Sequence, residues 1–231
     1  MLDYLANELV ASGWSTKRIQ RLILTSSTFR QSSSSSHEPN ASERDPSNSL
    51  LWHYSRRRLT AEELRDALLS LSGRLNAAFG GESIMPPVKQ ELLDLLYDPA
   101  QWKVTSDPRQ HDRRSVYLVA KRNLRLPFME VFDQPDLQIS CARRQSSTHA
   151  PQSLELLNGE LSNDLATAFA ARLQDEAGND PGRQIERAYW LAAGRPPSSR
   201  ERALAQKFLR EQPLAEFALA MFNLNAFLYV E

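Results

Sequence analysis

The sequence predicts a mainly α fold, a single compact multi-helix domain over residues 1–231 with long irregular loops. Apolar residues recur every three or four positions in most segments, as they do along one face of an amphipathic helix. Ser, Thr or Asp stands before several of these segments, where such residues cap helices. A chain of 231 residues with 41% hydrophobic composition can bury one good-sized core or two small ones.

The first two helices are predicted to form a hairpin. Apolar residues recur at helical spacing after Ser15, which predicts a helix that Ser15 caps and that runs to about Ser26. Residues 3–10 carry the preceding amphipathic pattern, and Gly13 stands between the two segments. A glycine at that place is typical of a turn.

A loop and then a capped helix are predicted to follow the hairpin. Residues 32–49, SSSSSHEPNASERDPSNS, offer few apolar side chains, which predicts a flexible Ser-rich loop. Thr60 followed by Glu63 forms a capping-box pattern at the start of an apolar helical face. We expect that helix to end at Gly80 and Gly81.

The middle of the chain has weaker signals. Residues 88–97 predict a shorter helix, and prolines at 99 and 108 indicate turns around it. Residues 116–120 suit either a strand or a helix. We favour a helix there, because no neighbouring segment offers a good strand partner.

The C-terminal third predicts a series of helices separated by short loops. Prolines and capping residues mark their starts. The predicted starts and extents are Pro151, residues 161–173, a helix capped by Asp180, a helix with Ser198 and Glu201 as its capping box, and a last helix from Pro213 toward Asn225.

Composition excludes several classes of protein. Lys+Arg and Asp+Glu both total 28, so no global field favours nucleic acid or an anionic membrane. Cys141 is the only cysteine, which excludes an intrachain disulfide and multi-cysteine metal sites. There is no CxxCH haem attachment, no spanning apolar run and no signal peptide in the chain. We expect no metal and no cofactor in this chain.

A local excess of positive charge lies in residues 103–144, where nine Lys and Arg face five Asp and Glu. Arginine forks suit bidentate recognition of carboxylate, sulfate or phosphate. The leading hypothesis is therefore a noncatalytic site for an acidic polysaccharide. Its candidate ligand-binding residues are Lys121, Arg122, Arg125, Asp133, Asp136, Arg143 and Arg144.

A second interpretation of the same residues is structural. The arginines would then pair internally with Glu62, Glu63, Asp66, Asp133 or Asp136 and hold irregular loops together. Under this interpretation Asp133 and Asp136 cap a turn or pair with Arg143 and Arg144.

Two catalytic alternatives also follow from residue types. Glu130, Asp133 and Asp136 could supply the acid and base of a hydrolase, an idea that gains weight if they face a common open cleft rather than buried arginines. Cys141 and His149 suggest a nucleophile and base. A lone cysteine is more often a small hydrophobe, and the sequence leaves open whether the chain is an enzyme.

Several motifs in order along the chain carry a family resemblance. They are TSSTFRQSS at 25–33, RRRLTAEELRDALL at 56–69, KRNLRLP at 121–127, FDQPD at 132–136, SCARR at 140–144, APQSLELLN at 150–158, RAYWLAAGRPP at 187–197 and NLNAFLYV at 223–230. The chain resembles the planctomycete secreted domain family of unknown function. His149 and Ala226 depart from the family pattern, which has a small hydroxyl residue and an acidic residue at these places.

The resemblance implies a context for the chain. Family members follow cytochrome-c-like and companion domains in large multidomain proteins, so the chain is expected to be the C-terminal part of a larger protein in an extracytoplasmic, periplasmic or secreted, location. Companion N-terminal domains are then partners. A third function class follows, a structural partner of a cytochrome-like electron-transfer module, which predicts a flat docking face and no substrate-sized pocket.

Overall fold

The computed structural model describes residues 1–33, 40–94 and 96–230 and confirms the mainly α prediction. Within those residues it has thirteen α-helices, two 3-10 turns (Pro99–Gln101 and Ser115–Tyr117) and two short strands, β1 (Arg57–Arg58) and β2 (Tyr229–Val230), which pair. The helices are α1 (Leu2–Ala11), α2 (Thr16–Leu24), α3 (Ala41–Arg44), α4 (Ala61–Ser72), α5 (Gln90–Leu93), α6 (Pro108–His111), α7 (Pro127–Val131), α8 (Ala150–Asn158), α9 (Glu160–Ala177), α10 (Pro181–Ala193), α11 (Ser199–Glu211), α12 (Leu214–Phe222) and α13 (Asn225–Leu228).

The contacts of the chain divide it into two compact units. The first comprises Met1–Arg57 with Val230, and the second comprises Arg58–Tyr229. Helices α1 to α3 belong to the first unit and α4 to α13 to the second. The assignment of residues 1–231 to one domain stays a prediction.

The first unit contains the predicted hairpin. Ser15 caps α2 by accepting a hydrogen bond from the Arg18 N–H, as its position predicts. Gly13 and Trp14 both have positive φ, at 66° and 63°, the backbone region that turns the chain tightly. The helix ends at Leu24, two residues before the predicted end.

Asp45 organises the described end of the predicted Ser-rich loop, whose residues 34–39 lie outside the described residues. Its carboxylate accepts hydrogen bonds from the Ser47 hydroxyl, from the Ser49 N–H and hydroxyl, and from the Leu50 N–H at 2.7 Å. The Leu50 N–H is the main cause of a lowered Asp45 pKa. The segment 40–49 thus contains a short helix and a defined turn, which the serine content did not indicate.

Helix α4 begins as predicted and ends earlier. Thr60 and Glu63 form the reciprocal capping box. The helix ends at Ser72, where Gly73 adopts φ 79°, the left-handed conformation that closes many helices. The predicted stop at Gly80 and Gly81 was wrong, because Gly73 already supplies that conformation.

Residues 74–126 are mostly irregular. The predicted helix over 88–97 is only the four-residue α5, with residue 95 outside the described part. The helix favoured over 116–120 was also wrong: a 3-10 turn ends at Tyr117, and the chain then pairs in parallel with Ile84. The Ile84 N–H donates to Tyr117 at 2.8 Å, and the Val119 N–H donates to Ile84 at 2.9 Å. The strand partner lies more than thirty residues earlier, so neighbouring sequence did not reveal it.

The C-terminal helices follow the predicted signals. Asp180 caps α10 by accepting from the Gly182 and Arg183 N–H groups, and Ser198 and Glu201 form a second capping box at α11. The predicted last helix corresponds to α12, which ends at Phe222, and a separate short helix, α13, begins at Asn225.

Helix α9 lies at the centre of the core of the second unit. Leu165, Phe169 and Leu173 are fully buried, and α9 packs against α4, α8, α10 and α12. The ring of Phe169 stacks on that of Phe222 with centroids 6.1 Å apart. Each such side chain contributes about 1.5–3 kcal/mol on burial, so this cluster fixes the helices on which the irregular segments lie.

A smaller apolar cluster supports the irregular region. Leu96, Trp102 and Leu124 are buried together, and the Trp102 indole N–H donates to the Pro86 carbonyl at 2.9 Å. These contacts hold the irregular segment in place where it has little regular backbone pairing. Among the described helices, none combines the length and the apolar character needed to cross a membrane.

Glu201 makes the stability of α11 dependent on pH. Its carboxylate accepts two hydrogen bonds from Arg195, each at 2.8 Å, and one from the Ser198 N–H. These bonds, chiefly those from Arg195, lower the Glu201 pKa from 4.5 to about 2. A lowered carboxyl pKa stabilises the fold above the unfolded-state pKa, and the contribution is lost as pH falls through the folded-state pKa.

We therefore expect Glu201→Gln to lower the unfolding free energy by about 1 kcal/mol near neutral pH. The difference from the wild type should shrink as pH falls from about 5 to about 2. Thermal unfolding of both proteins across this range measures it. A difference that does not change with pH would contradict this assignment.

Candidate functional site

An open groove of about 630 Å³ lies on the second unit beside the start of α4. Three parts of the chain line it, and we call it the α4 groove. They are the start of α4 (Thr60, Glu62, Glu63 and Asp66), the irregular segment (Arg114, Ser115, Val116, Leu118, Val119, Ala120, Lys121, Leu124, Arg125 and Leu126), and α7 with the loop after it (Met129, Gln134, Leu137 and Arg144).

Helix α4 supplies the acidic wall of the α4 groove. Glu62 accepts two hydrogen bonds from Arg144, at 2.7 and 3.1 Å. Burial alone would raise the Glu62 pKa, but the hydrogen bonds from Arg144 outweigh it and hold the pKa below its ordinary value. The pair thereby ties the loop after α7 to α4.

Asp66 holds the irregular segment against the same helix. It accepts a hydrogen bond from the Ser115 N–H at 2.7 Å and one from Arg114 Nε at 3.3 Å. Since Glu62 and Asp66 are four residues apart, they lie on one face of α4. One helical face therefore contacts both other walls of the groove.

Arg65 supports the groove from inside the protein. Its guanidinium donates to the carbonyls of Arg113 at 2.8 Å and His111 at 2.6 Å, and to the Ser115 hydroxyl. Burial lowers the Arg65 pKa, and Asp66, 3.9 Å away, opposes that effect. An arginine stays charged in proteins, so the fold buries this cation and satisfies it with backbone carbonyls.

Arg113 continues this chain of contacts. Its buried guanidinium donates to the carbonyls of Glu82 and Gly80 and lies over the Tyr117 ring, 3.7 Å from the centroid. The contact with Tyr117 is a cation–π interaction. Arg65 and Arg113 together fix the backbone before the basic wall of the groove. In the sequence, Arg113 is only one of the nine cations of residues 103–144, and no local pattern distinguishes Arg65.

The structure brings three of the predicted candidates to the α4 groove: Lys121, Arg125 and Arg144. Lys121 Nζ donates to the amide oxygen of Gln101 at 3.0 Å. Arg125 pairs with Glu130 at 2.8 Å. Arg114, which was not among the site candidates, lines the groove beside them.

The other four candidates, Arg122, Arg143, Asp133 and Asp136, are not part of the groove lining. Arg122 and Arg143 are exposed. Asp136 accepts a hydrogen bond from the Gln138 N–H within its own turn. The internal pairing considered for Arg144 and Asp66 is present, with Glu62 and Arg114 as their respective partners.

Asp133 is held by Arg58, rather than by Arg143 or Arg144. Its carboxylate accepts from Arg58 Nη2 at 2.6 Å and from the N–H and hydroxyl of Ser147 at 2.9 and 2.6 Å. Burial alone would raise the Asp133 pKa, but hydrogen bonds, first those from Ser147 and then that from Arg58, lower it. The carboxylate proposed as a hydrolase acid is therefore already bound to a buried arginine.

The Cys141 and His149 pair gains no support from the geometry. Cys141 is exposed, and the contact recorded for the His149 ring is with the Gln152 amide at 3.5 Å. Within the described ranges, no group of three or more His, Cys, Asp or Glu is arranged to hold a metal ion.

Removing the Arg65 guanidinium should destabilise the second unit. We expect Arg65→Leu to lower the unfolding free energy by about 3 kcal/mol, because the buried Arg113 carbonyl and the partly buried His111 carbonyl lose their donor. Chemical denaturation measures the change. Arg109→Leu is the matched control, because Arg109 is 87% exposed, and it should leave the denaturation midpoint nearly unchanged. Equal effects of the two variants would contradict the role given to Arg65.

Comparison with known families places the chain by its sequence. Residues 1–209 match the family PSD1, described as a protein of unknown function (DUF1553). Comparison with curated proteins and with solved structures finds no match. The family match extends over the hairpin, α4, the whole α4 groove and the helices through most of α11. The chain belongs to the PSD1 (DUF1553) family of proteins of unknown function.

Proposed function

We propose that this chain is a noncatalytic binding module whose α4 groove holds an acidic polysaccharide. The observation that carries the proposal is the convergence of Lys121, Arg125 and Arg144, with Arg114, along one groove. A groove of about 630 Å³ is large enough for a ligand of several sugar units by the usual size of binding pockets.

The ion pairs of the groove decide how such a ligand is bound. Arg114, Arg125 and Arg144 each contact a carboxylate, so they offer only their remaining N–H donors to a ligand. Lys121 contacts a neutral amide. An acidic group on the ligand therefore gains most from Lys121, while the paired arginines present oriented donors beside it.

The near balance of charge in the groove sets the expected affinity. Four cations and three carboxylates line it, so the field is weak and recognition depends on contacts at fixed positions. Contacts between exposed charges are screened by salt. Binding should therefore be moderate and salt-sensitive.

The two alternative functions have less support. The hydrolase hypothesis predicts that Glu130, Asp133 and Asp136 face an open cleft. None of the three is among the groove-lining residues, and Asp133 binds the buried Arg58. The hypothesis of a structural partner of a cytochrome-like module predicts no substrate-sized pocket, whereas the α4 groove has a volume of about 630 Å³. We also propose that the chain belongs to an extracytoplasmic multidomain protein with companion N-terminal domains. Only the family resemblance supports this part of the proposal.

The test compares two neighbouring cations. Lys121 lines the groove, whereas Arg122 is exposed and outside it. We expect Lys121→Gln to raise the Kd for heparin about three- to tenfold, the loss of one charge-assisted contact. Arg122→Gln removes the same charge from the same stretch of chain and should leave the Kd within about twofold.

Binding is measured at low and moderate salt on heparin, polygalacturonate and neutral dextran, with product analysis of each mixture. Equal losses for Lys121→Gln and Arg122→Gln would show nonspecific charge attraction and contradict the groove site. Binding to none of the polysaccharides would overturn the proposed function. Shortened products would replace it with an enzymatic one.

A further inference from the structure

We infer that Asp133 is a positioning residue for the α4 groove: it closes residues 133–147 into a loop and so holds the wall formed by Gln134, Leu137 and Arg144. This inference rests on the proposed function only for its consequence in ligand binding. The closure itself is read from hydrogen bonds. We call Arg58, Asp133, Ser147 and Gln152 the Asp133 clasp.

The clasp joins the two ends of the loop directly. Asp133 Oδ1 accepts from the Ser147 hydroxyl at 2.6 Å, and Oδ2 accepts from the Ser147 N–H at 2.9 Å. Two residues fourteen positions apart are thereby in contact. Closing a loop of this length costs conformational entropy, and charge-assisted hydrogen bonds of this kind offset it.

Arg58 reinforces the same closure from the beginning of the second unit. Besides its contact with Asp133, it donates to the Ser147 carbonyl at 3.0 Å and the Phe132 carbonyl at 3.3 Å. Its side chain is only 6% exposed, so its hydrogen bonds form away from competing water. One guanidinium therefore binds both ends of the loop.

Gln152 connects the clasp to the helices on either side. Its amide N–H group donates to the Val131 carbonyl at the end of α7 and to Asp133 Oδ2, at 3.1 and 3.3 Å. Gln152 belongs to α8, where it is buried. The base of the loop is thus fixed to both α7 and α8.

The backbone at Asp133 has a conformation that the clasp maintains. Its φ is 64°, in the left-handed region that non-glycine residues other than Asn and Asp seldom adopt. Asp133 lies in the turn that follows α7, and Gln134 and Leu137 after it line the groove. Farther along the loop, Arg144 reaches Glu62 on the opposite wall. Loss of the clasp should therefore free one whole wall of the groove while leaving the helical core in place.

The decisive measurement is hydrogen–deuterium exchange on the full chain without ligand. Asp133→Asn tolerates the same backbone conformation but presents an amide to the donors of Arg58 and Ser147. We expect exchange of the Gln134 and Ser147 N–H groups, which donate to the Met129 carbonyl and to Asp133 Oδ2 at the two ends of the loop, to become at least about tenfold faster, with a smaller change in α9 and α12, as for a local opening. Asp136→Asn is the matched control, since Asp136 lies in the same loop and outside the clasp, and it should leave exchange unchanged.

Two further variants separate positioning from general damage. Ser147→Ala removes one hydroxyl donor and should accelerate loop exchange by a smaller factor, whereas Ser147→Thr retains a hydroxyl and should restore the wild-type rate. These variants decide the question if Asp133→Asn does not fold. Unchanged loop exchange in Ser147→Ala, or equal acceleration throughout the second unit, would overturn the inference.

Heparin binding then tests the consequence for the groove. We expect Asp133→Asn to weaken binding at least about threefold at a temperature where circular dichroism shows the variant to be folded, and Asp136→Asn to leave binding unchanged. If the wild type binds no polysaccharide, the proposed function fails and the exchange data alone decide the clasp. If the wild type binds and Asp133→Asn binds equally well despite a mobile loop, the positioning role is overturned while the binding function stands.

Discussion

The rest of the candidate site depends on the hydrogen bonds that the buried Arg65 guanidinium donates. Arg65 belongs to α4, and its side chain donates to backbone carbonyls in a segment with little regular structure. Helix α4 is itself fixed by its packing on α9. Because irregular backbone cannot satisfy its carbonyls internally, a multivalent donor such as arginine replaces a sheet or helix as its partner. The position of the basic groove wall follows from that replacement.

The same chemistry recurs at the other irregular segments of the second unit. Arg113 holds the segment around Gly80, and Arg58 holds the ends of the loop after α7. Arginines therefore have two uses in this chain, as internal donors and as groove residues. The positive excess in residues 103–144 combines both uses, so it overstates the charge available to a ligand. The charge in the groove is instead nearly balanced.

Local signals predicted the helices well, because a cap acts within one turn. The capping boxes at Thr60 and Ser198 are present as the sequence indicates. Predictions failed where the deciding contact was distant. Leu118 bridges to Ile84, more than thirty residues earlier, instead of forming a helix.

The sequence by itself determined the mainly α fold, the starts of the capped helices and a family whose activity is undefined. It also indicated that the excess of cations between residues 103 and 144 serves either ligand binding or internal pairing. Only the tertiary structure decided which of them meet: Lys121, Arg125 and Arg144 share a groove, and Asp133 pairs with an arginine 75 residues earlier in the chain. The physical reason is that helix caps and periodicity are set by near neighbours, whereas the choice among many possible ion pairs depends on how the segments pack.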